Sequence, residues 1–115
     1  MIQGGGYTED GTKKRTLAPI HNEATNGLMN VTKSVAMARH PEPHSATSQF
    51  FINLADNANL DHISRDDEEY GYAVFGTVSE GWDVIEKIAA LGTIVRGADK
   101  NYPKIAVIIQ KVEPL

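Results

Sequence analysis

Ser45-Ala46-Thr47-Ser48-Gln49-Phe50-Phe51-Ile52-Asn53 is the stretch on which the fold turns. Gln49 to Leu54 reads as a strand: two adjacent aromatics and a β-branched residue follow a polar approach. Side chains alternate along a strand, so Phe50 and Phe51 face opposite sides and Gln49 shares a side with Phe51. A carboxamide beside a ring suits an apolar substrate segment whose carbonyl needs fixing. A core strand with an edge glutamine explains the same residues, and on the residues alone it is the simpler reading.

Working outward, Ser34-Val35-Ala36-Met37-Ala38 reads as a short buried strand, and Arg39 to Ser48, with two prolines, as a loop. Residues 55–71 read as a polar loop containing Asp66-Asp67-Glu68-Glu69. Tyr72-Ala73-Val74-Phe75-Gly76-Thr77-Val78 reads as a third strand. Gly81 opens a helix in which Trp82, Ile85 and Ala89, with Val84, Ile88 and Leu91, make one apolar stripe. Gly92 is expected to cap it. Residues 93–104 are expected to loop back, and Ile105 to Val112 to form the last strand. Residues 4–30 are turn-rich (Gly4-Gly5-Gly6, Asp10-Gly11, Asn26-Gly27) and read as a structured loop. One helix among short strands predicts a single, mainly β, antiparallel domain over residues 1–115.

Composition narrows the function classes. The chain has 115 residues with 15 Asp and Glu against 11 Lys and Arg, a net charge of -4. Residues 1–58 are balanced, so the surplus sits in residues 59–115. That balance argues against nucleic acid, which needs a basic patch. No apolar run reaches the roughly 18–20 residues of a membrane helix, so no membrane partner is expected. With no cysteine there is no disulfide, thiol nucleophile or thiolate metal site. Both cytoplasmic and periplasmic locations stay open.

Four further signals take simple readings. Gly4-Gly5-Gly6 lacks the following helix and Lys-Ser/Thr pair of a phosphate loop, so a demanding turn is expected. His40-Pro41-Glu42-Pro43-His44 has no evident third ligand and reads as an exposed loop, so no metal is expected. His21 and His62 look isolated, and the acidic run 66–69 reads as a solvated face. No Gly-x-Ser-x-Gly elbow supports a Ser-His-Asp nucleophile.

Met1-Ile2-Gln3-Gly4-Gly5-Gly6-Tyr7-Thr8, Ser48-Gln49-Phe50-Phe51-Ile52, Asn59-Leu60-Asp61-His62 and Tyr72-Ala73-Val74-Phe75-Gly76 together resemble the ordered motifs of the cyclophilins, the bacterial branch most closely. The resemblance runs the length of the chain. It implies a peptidyl-prolyl cis-trans isomerase assisting protein folding, on an eight-stranded antiparallel barrel capped by two helices. It implies proline-containing peptides and unfolded proteins as partners, and no cofactor.

By the same resemblance Gln49 and Phe51 are the catalytic residues of this chain. Met1, Phe51 and Leu60 would line the proline pocket, and Gln3 would join Gln49 in hydrogen bonding. The backbone of Ala38, Arg39 and His40 would pair with the extended peptide. Tyr72 stands where many eukaryotic members have histidine. Asn59 stands where they have a tryptophan that binds cyclosporin, so weak cyclosporin binding is expected.

Family members also carry a catalytic arginine six positions before the place of Met1. The resemblance therefore implies that this chain lacks the N-terminal strands and first helix of the barrel, that its catalysis is impaired, and that it self-associates through exposed barrel edges. The alternatives are a non-catalytic proline-peptide binding module and a structural subunit completing a split barrel.

Overall fold

A computed structural model describes residues 1–115 as two units, residues 1–82 and residues 83–115. The first is built on a four-stranded antiparallel sheet. Its strands are β1 (Ile2–Gly4), β2 (Ser34–Met37), β3 (Phe50–Ile52) and β4 (Val74–Thr77). Their spatial order is β1-β3-β2-β4. Three of the four are the expected strands, each trimmed by a residue or more at its ends. β1 falls within the quoted N-terminal motif, though no strand is expected there.

The register sets one row of side chains across the sheet. Gln3 pairs with Phe51, Phe51 with Ala36, and Ala36 with Val74. Partners across a ladder share a face, so the row lies on one side. Ala36, Phe51 and Val74 are buried there, with Ala38, Leu60 and Tyr72 packed against them. Residues of the other register rows, Ile2, Val35, Met37, Phe50 and Ile52, are only half-buried, and Phe75 is exposed. The sheet thus has one packed face and one open apolar face.

Long loops carry buried backbone, which must find partners. Buried asparagines supply them. Asn30 Nδ2 donates to the Leu60 and Tyr72 carbonyls at 3.1 and 3.2 Å, and the Asn30 N–H donates to Asp61 Oδ1 at 2.6 Å. Asn53 Nδ2 donates to Asn30 Oδ1 at 3.1 Å and to Ser34 Oγ at 2.9 Å, and Asn57 Nδ2 donates to Asn53 Oδ1 at 2.8 Å. A second small cluster joins Ala24, Tyr70 and Ala73.

The second unit holds α1 (Trp82–Ala89), whose first residue ends the first unit, and a hairpin of β5 (Thr93–Arg96) and β6 (Asp99–Pro103). The apolar stripe is realised in part: Trp82, Ile85, Ile88 and Leu91 are half-buried, whereas Val84 and Ala89, expected on the same stripe, are exposed. Gly92 is not a left-handed cap. It leads into β5, and its carbonyl accepts the Lys104 N–H at 2.8 Å.

The mainly β, antiparallel class stands: six strands form an open four-stranded sheet and a separate two-stranded hairpin. Two expectations need correction. Residues 93–104 are not a loop, because Gly97, with φ of 61°, turns the chain back so that Ile94 pairs with Tyr102. Residues 105–112 are not a strand. The apolar run Ile105 to Ile109 has strand-like composition, but a strand exists only with a ladder partner, and β5 and β6 satisfy each other.

Candidate functional site

The packed face gathers most of the residues that the sequence singles out. β1 and β3 bring Gln3 beside Gln49, and Gln3 Nε2 donates to Gln49 Oε1 at 2.9 Å. The carboxamide Nε2 of Gln49 keeps two hydrogens for another acceptor. The glycine turn makes this packing possible. A Cβ on Gly6 would lie 2.6 Å from the Gln49 side chain, and Gly5 needs φ of 92°. The triple glycine is the demanding turn that its composition suggests.

Phe51 is the floor of the site, only 2% exposed. Its ring meets Tyr72 edge-on, with centroids 5.7 Å apart and planes at 78°. That geometry suits two ring quadrupoles. Leu60 ends the 3-10 turn Ala58–Leu60, and the Tyr72 N–H donates to the Leu60 carbonyl at 2.9 Å. The asparagine network therefore holds both walls, since Asn30 bonds the carbonyls of Leu60 and Tyr72 together. Asn53 follows Phe51 by two residues in the strand reading, so its face is expected to be buried, whereas nothing in the sequence marks Asn30, which lies in the turn-rich segment.

Other expected residues are placed differently. Met1 precedes β1 on the Gln3 side of the alternation, but it is 58% exposed and outside the cluster around Phe51. Asn59 is exposed within its turn. The Ala38 N–H donates to the Gln49 carbonyl at 3.0 Å, and the His40 N–H donates to Ser45 Oγ at 2.9 Å. Both donors are therefore already used within the chain, although these two residues are expected to pair with a peptide.

The Arg39 side chain stacks 4.7 Å from the Tyr72 ring centroid. A cavity of about 450 Å³ opens beside this pair, with Glu42, Asp67 and Glu68 along its rim.

His21 is not isolated: it stacks on His44 at 4.2 Å, and His44 Nδ1 accepts the Asn22 N–H at 3.0 Å. His62 Nδ1 lies 2.7 Å from the Tyr70 carbonyl, which can only accept, so Nδ1 carries the proton. No group of three or more His, Asp or Glu side chains is gathered to hold a metal.

The arrangement sets a buried ring, Phe51, behind the half-buried Leu60 and Tyr72, with a neutral amide pair at the edge. The family model described as "Cyclophilin type peptidyl-prolyl cis-trans isomerase/CLD" matches residues 1–114. The peptidyl-prolyl cis-trans isomerase cyp18 of Streptomyces antibioticus is 51% identical over 115 residues, covering all of this chain and 69% of that protein. Peptidyl-prolyl cis-trans isomerase A of Dickeya dadantii is 49% identical over 113 residues, 98% of this chain and 58% of that protein. Peptidyl-prolyl cis-trans isomerase B of Escherichia coli is 46% identical over 112 residues, 97% and 68% respectively. The chain thus spans between somewhat over half and about two thirds of each of these relatives.

Proposed function

The chain belongs to the cyclophilin-type peptidyl-prolyl cis-trans isomerase family, and from that premise we propose that residues 1–82 carry a proline-gripping surface that eases rotation about the bond before proline. The observation that carries this reading is the row Gln3, Phe51, Ala36 and Val74, flanked by Gln49, Leu60 and Tyr72. The pyrrolidine ring rests against Leu60 and Tyr72, the half-buried residues packed on Phe51. The Gln49 carboxamide donates to a substrate carbonyl.

The chemistry is modest in its demands. Amide resonance sets a barrier of about 18–20 kcal/mol to rotation. Catalysis needs the twisted amide to be held better than the planar one. A dry pocket favours it, because the twisted form is less dipolar than the resonance-stabilised plane, and fixed hydrogen bonds hold the flanking carbonyls. Arg39 is not a donor to the prolyl nitrogen in this reading, since its guanidinium is committed to backbone carbonyls. Turnover by these 115 residues is accordingly expected to be slow. Cyclosporin binding is expected to be weak, because Asn59 offers no indole. The open apolar face carrying Phe75 is expected to favour self-association at high concentration.

Exchange spectroscopy on a short blocked Ala-Ala-Pro-Ala peptide tests the reading. The unmodified chain is expected to bind the peptide and to speed cis–trans exchange above its uncatalysed rate, and Gln49→Ala to lose most of that acceleration. Binding without acceleration would make the chain a proline-peptide binding module. Failure to bind at millimolar peptide would remove the proposal.

A further inference from the structure

Arg39 reads from the sequence as part of a peptide-pairing stretch, but its side chain has a different employment. Nε donates to the Gly71 carbonyl at 3.0 Å, and Nη1 to the His40 and Pro41 carbonyls at 3.0 Å each. Nη2 donates to the Asp67 carbonyl at 3.2 Å. These four carbonyls belong to three segments: the turn after β2, the acidic loop, and the residue before Tyr72. Cζ of the same guanidinium lies over the Tyr72 ring, 4.7 Å from its centroid. Only a rigid, planar, five-donor fork can bond edgewise to several carbonyls while stacking on a ring.

We propose that Arg39 is a positioning residue of the proline site: its guanidinium pins the Tyr72 ring edge-on to Phe51 and so fixes the wall against which the pyrrolidine rests. This rests on the proline-site reading above. The Phe51 ring has its own support, since it shares a buried cluster with Ala36 of the adjacent β2 and Val74 of β4. Tyr72 lies outside β4 and is only half-buried, so the strand ladder does not hold its ring. The Asn30 bond reaches the Tyr72 carbonyl, not its ring. Arg39 supplies a second contact to the ring, over it and 4.7 Å from its centroid.

The test compares Arg39→Gln, Arg39→Lys, Tyr72→Ala and the double variant Arg39→Gln/Tyr72→Ala, by chemical-shift titration with the Ala-Ala-Pro-Ala peptide. Arg39→Gln is expected to weaken binding about threefold to fivefold, the scale of a cation–π contact at a partly exposed site. Arg39→Lys is expected to behave like Arg39→Gln, because an ammonium keeps the charge but loses the fork. In the free Arg39→Gln chain the Tyr72 ring protons should move toward random-coil positions, while the Ala36 and Val74 amides stay where they are.

Adding Arg39→Gln to Tyr72→Ala should cost no further affinity, since Arg39 acts through that ring. Additive losses, full rescue by lysine, or unchanged binding by Arg39→Gln would each overturn the proposal. So would collapse of the Ala36 and Val74 signals in Arg39→Gln, which would make Arg39 a structural residue only. If the unmodified chain itself fails to bind, the proline-site reading falls first and takes this role with it. If that chain binds and the variants bind equally, the positioning role alone falls.

Discussion

In residues 1–82 the strands that pair lie far apart along the chain: Gln3 meets Phe51, and Ala36 meets Val74. In residues 83–115 pairing is between neighbours: Ile94 meets Tyr102, and Arg96 meets Asp99. The first unit buries Ala36, Phe51 and Val74 and a set of asparagines, whereas the second buries no residue. Tertiary burial holds the one, and local backbone hydrogen bonds hold the other. An isolated two-stranded hairpin is marginal in water. The candidate site belongs to the unit in which distant residues are brought together.

The largest expected effect tests that division directly. Phe51→Ala removes a ring that is 2% exposed, and should cost about 3–5 kcal/mol of unfolding free energy. Ile94→Ala removes a side chain that is 42% exposed, and should change stability by no more than about 0.5 kcal/mol. Urea denaturation, followed by amide exchange within each unit, measures both. Equal costs would show that the hairpin is held by buried apolar contact and would erase the distinction.

A smaller effect sharpens it, using the same residue type in both units. Gly71 has φ of 82°, and a Cβ there would lie 2.6 Å from the His62 nitrogen and 2.7 Å from the Asp61 carbonyl carbon, both of them backbone. Gly97 has φ of 61°, and a Cβ there would meet nothing within 4 Å. Gly71→Ala should therefore cost about 3 kcal/mol, the upper end for a non-glycine forced left-handed, and should displace Leu60 and Tyr72. Gly97→Ala should cost about 1 kcal/mol, the left-handed penalty alone. Melting temperatures of the two variants, with the Tyr72 ring shifts as a local readout, decide it. Gly97→Ala proving as damaging as Gly71→Ala would mean that crowding is not what separates the units.

Legibility in the sequence follows the same line. β2, β3 and β4 are readable because the short apolar and aromatic runs over Ser34–Ala38, Gln49–Leu54 and Tyr72–Val78 are bounded by polar loops. The pairing of Gln49 with Phe51 on one face follows from the two-residue period, and the register brings in Gln3, which the resemblance already sets beside Gln49. The helix stripe is readable from three- and four-residue spacing, although it carries Val84 and Ala89 on its exposed side.

The hairpin is not readable. Thr93-Ile94-Val95-Arg96 and Asp99-Lys100-Asn101-Tyr102-Pro103 share no alternation, because neither strand buries a face, and only Gly97 signals the turn. The run Ile105 to Ile109 misleads for the converse reason: composition can favour a strand, but it cannot supply a partner. The clamp of Arg39 on four carbonyls is invisible to any period, since it joins loops whose approach the sheet dictates.

The smallest expected effect concerns a turn of the first unit that behaves like the second. Tyr7 bridges Lys13, and the Thr8 N–H donates to the Thr12 carbonyl at 2.9 Å, closing a loop on its own neighbours. The Asp10 carboxylate accepts the Thr8 hydroxyl and the Thr12 N–H, and these bonds favour its charged form and lower its pKa from 3.8 to about 2. Asp56, held by the Thr32 N–H and hydroxyl, is lowered in the same direction. For a depressed carboxylate the stabilisation is fully present above the unfolded pKa of 3.8 and is lost as pH falls through the folded value near 2. The Thr8 and Thr12 amide shifts should therefore hold steady from neutral pH down to about 4 and then move together with a midpoint near 2. The Ala36 and Val74 amides should not follow them, because that part of the sheet carries no acid in its row. A Thr12 midpoint at the ordinary 3.8 would show that the carboxylate does not hold this turn. A simultaneous shift of the sheet amides would show that the turn is coupled to the burial that defines the rest of its unit.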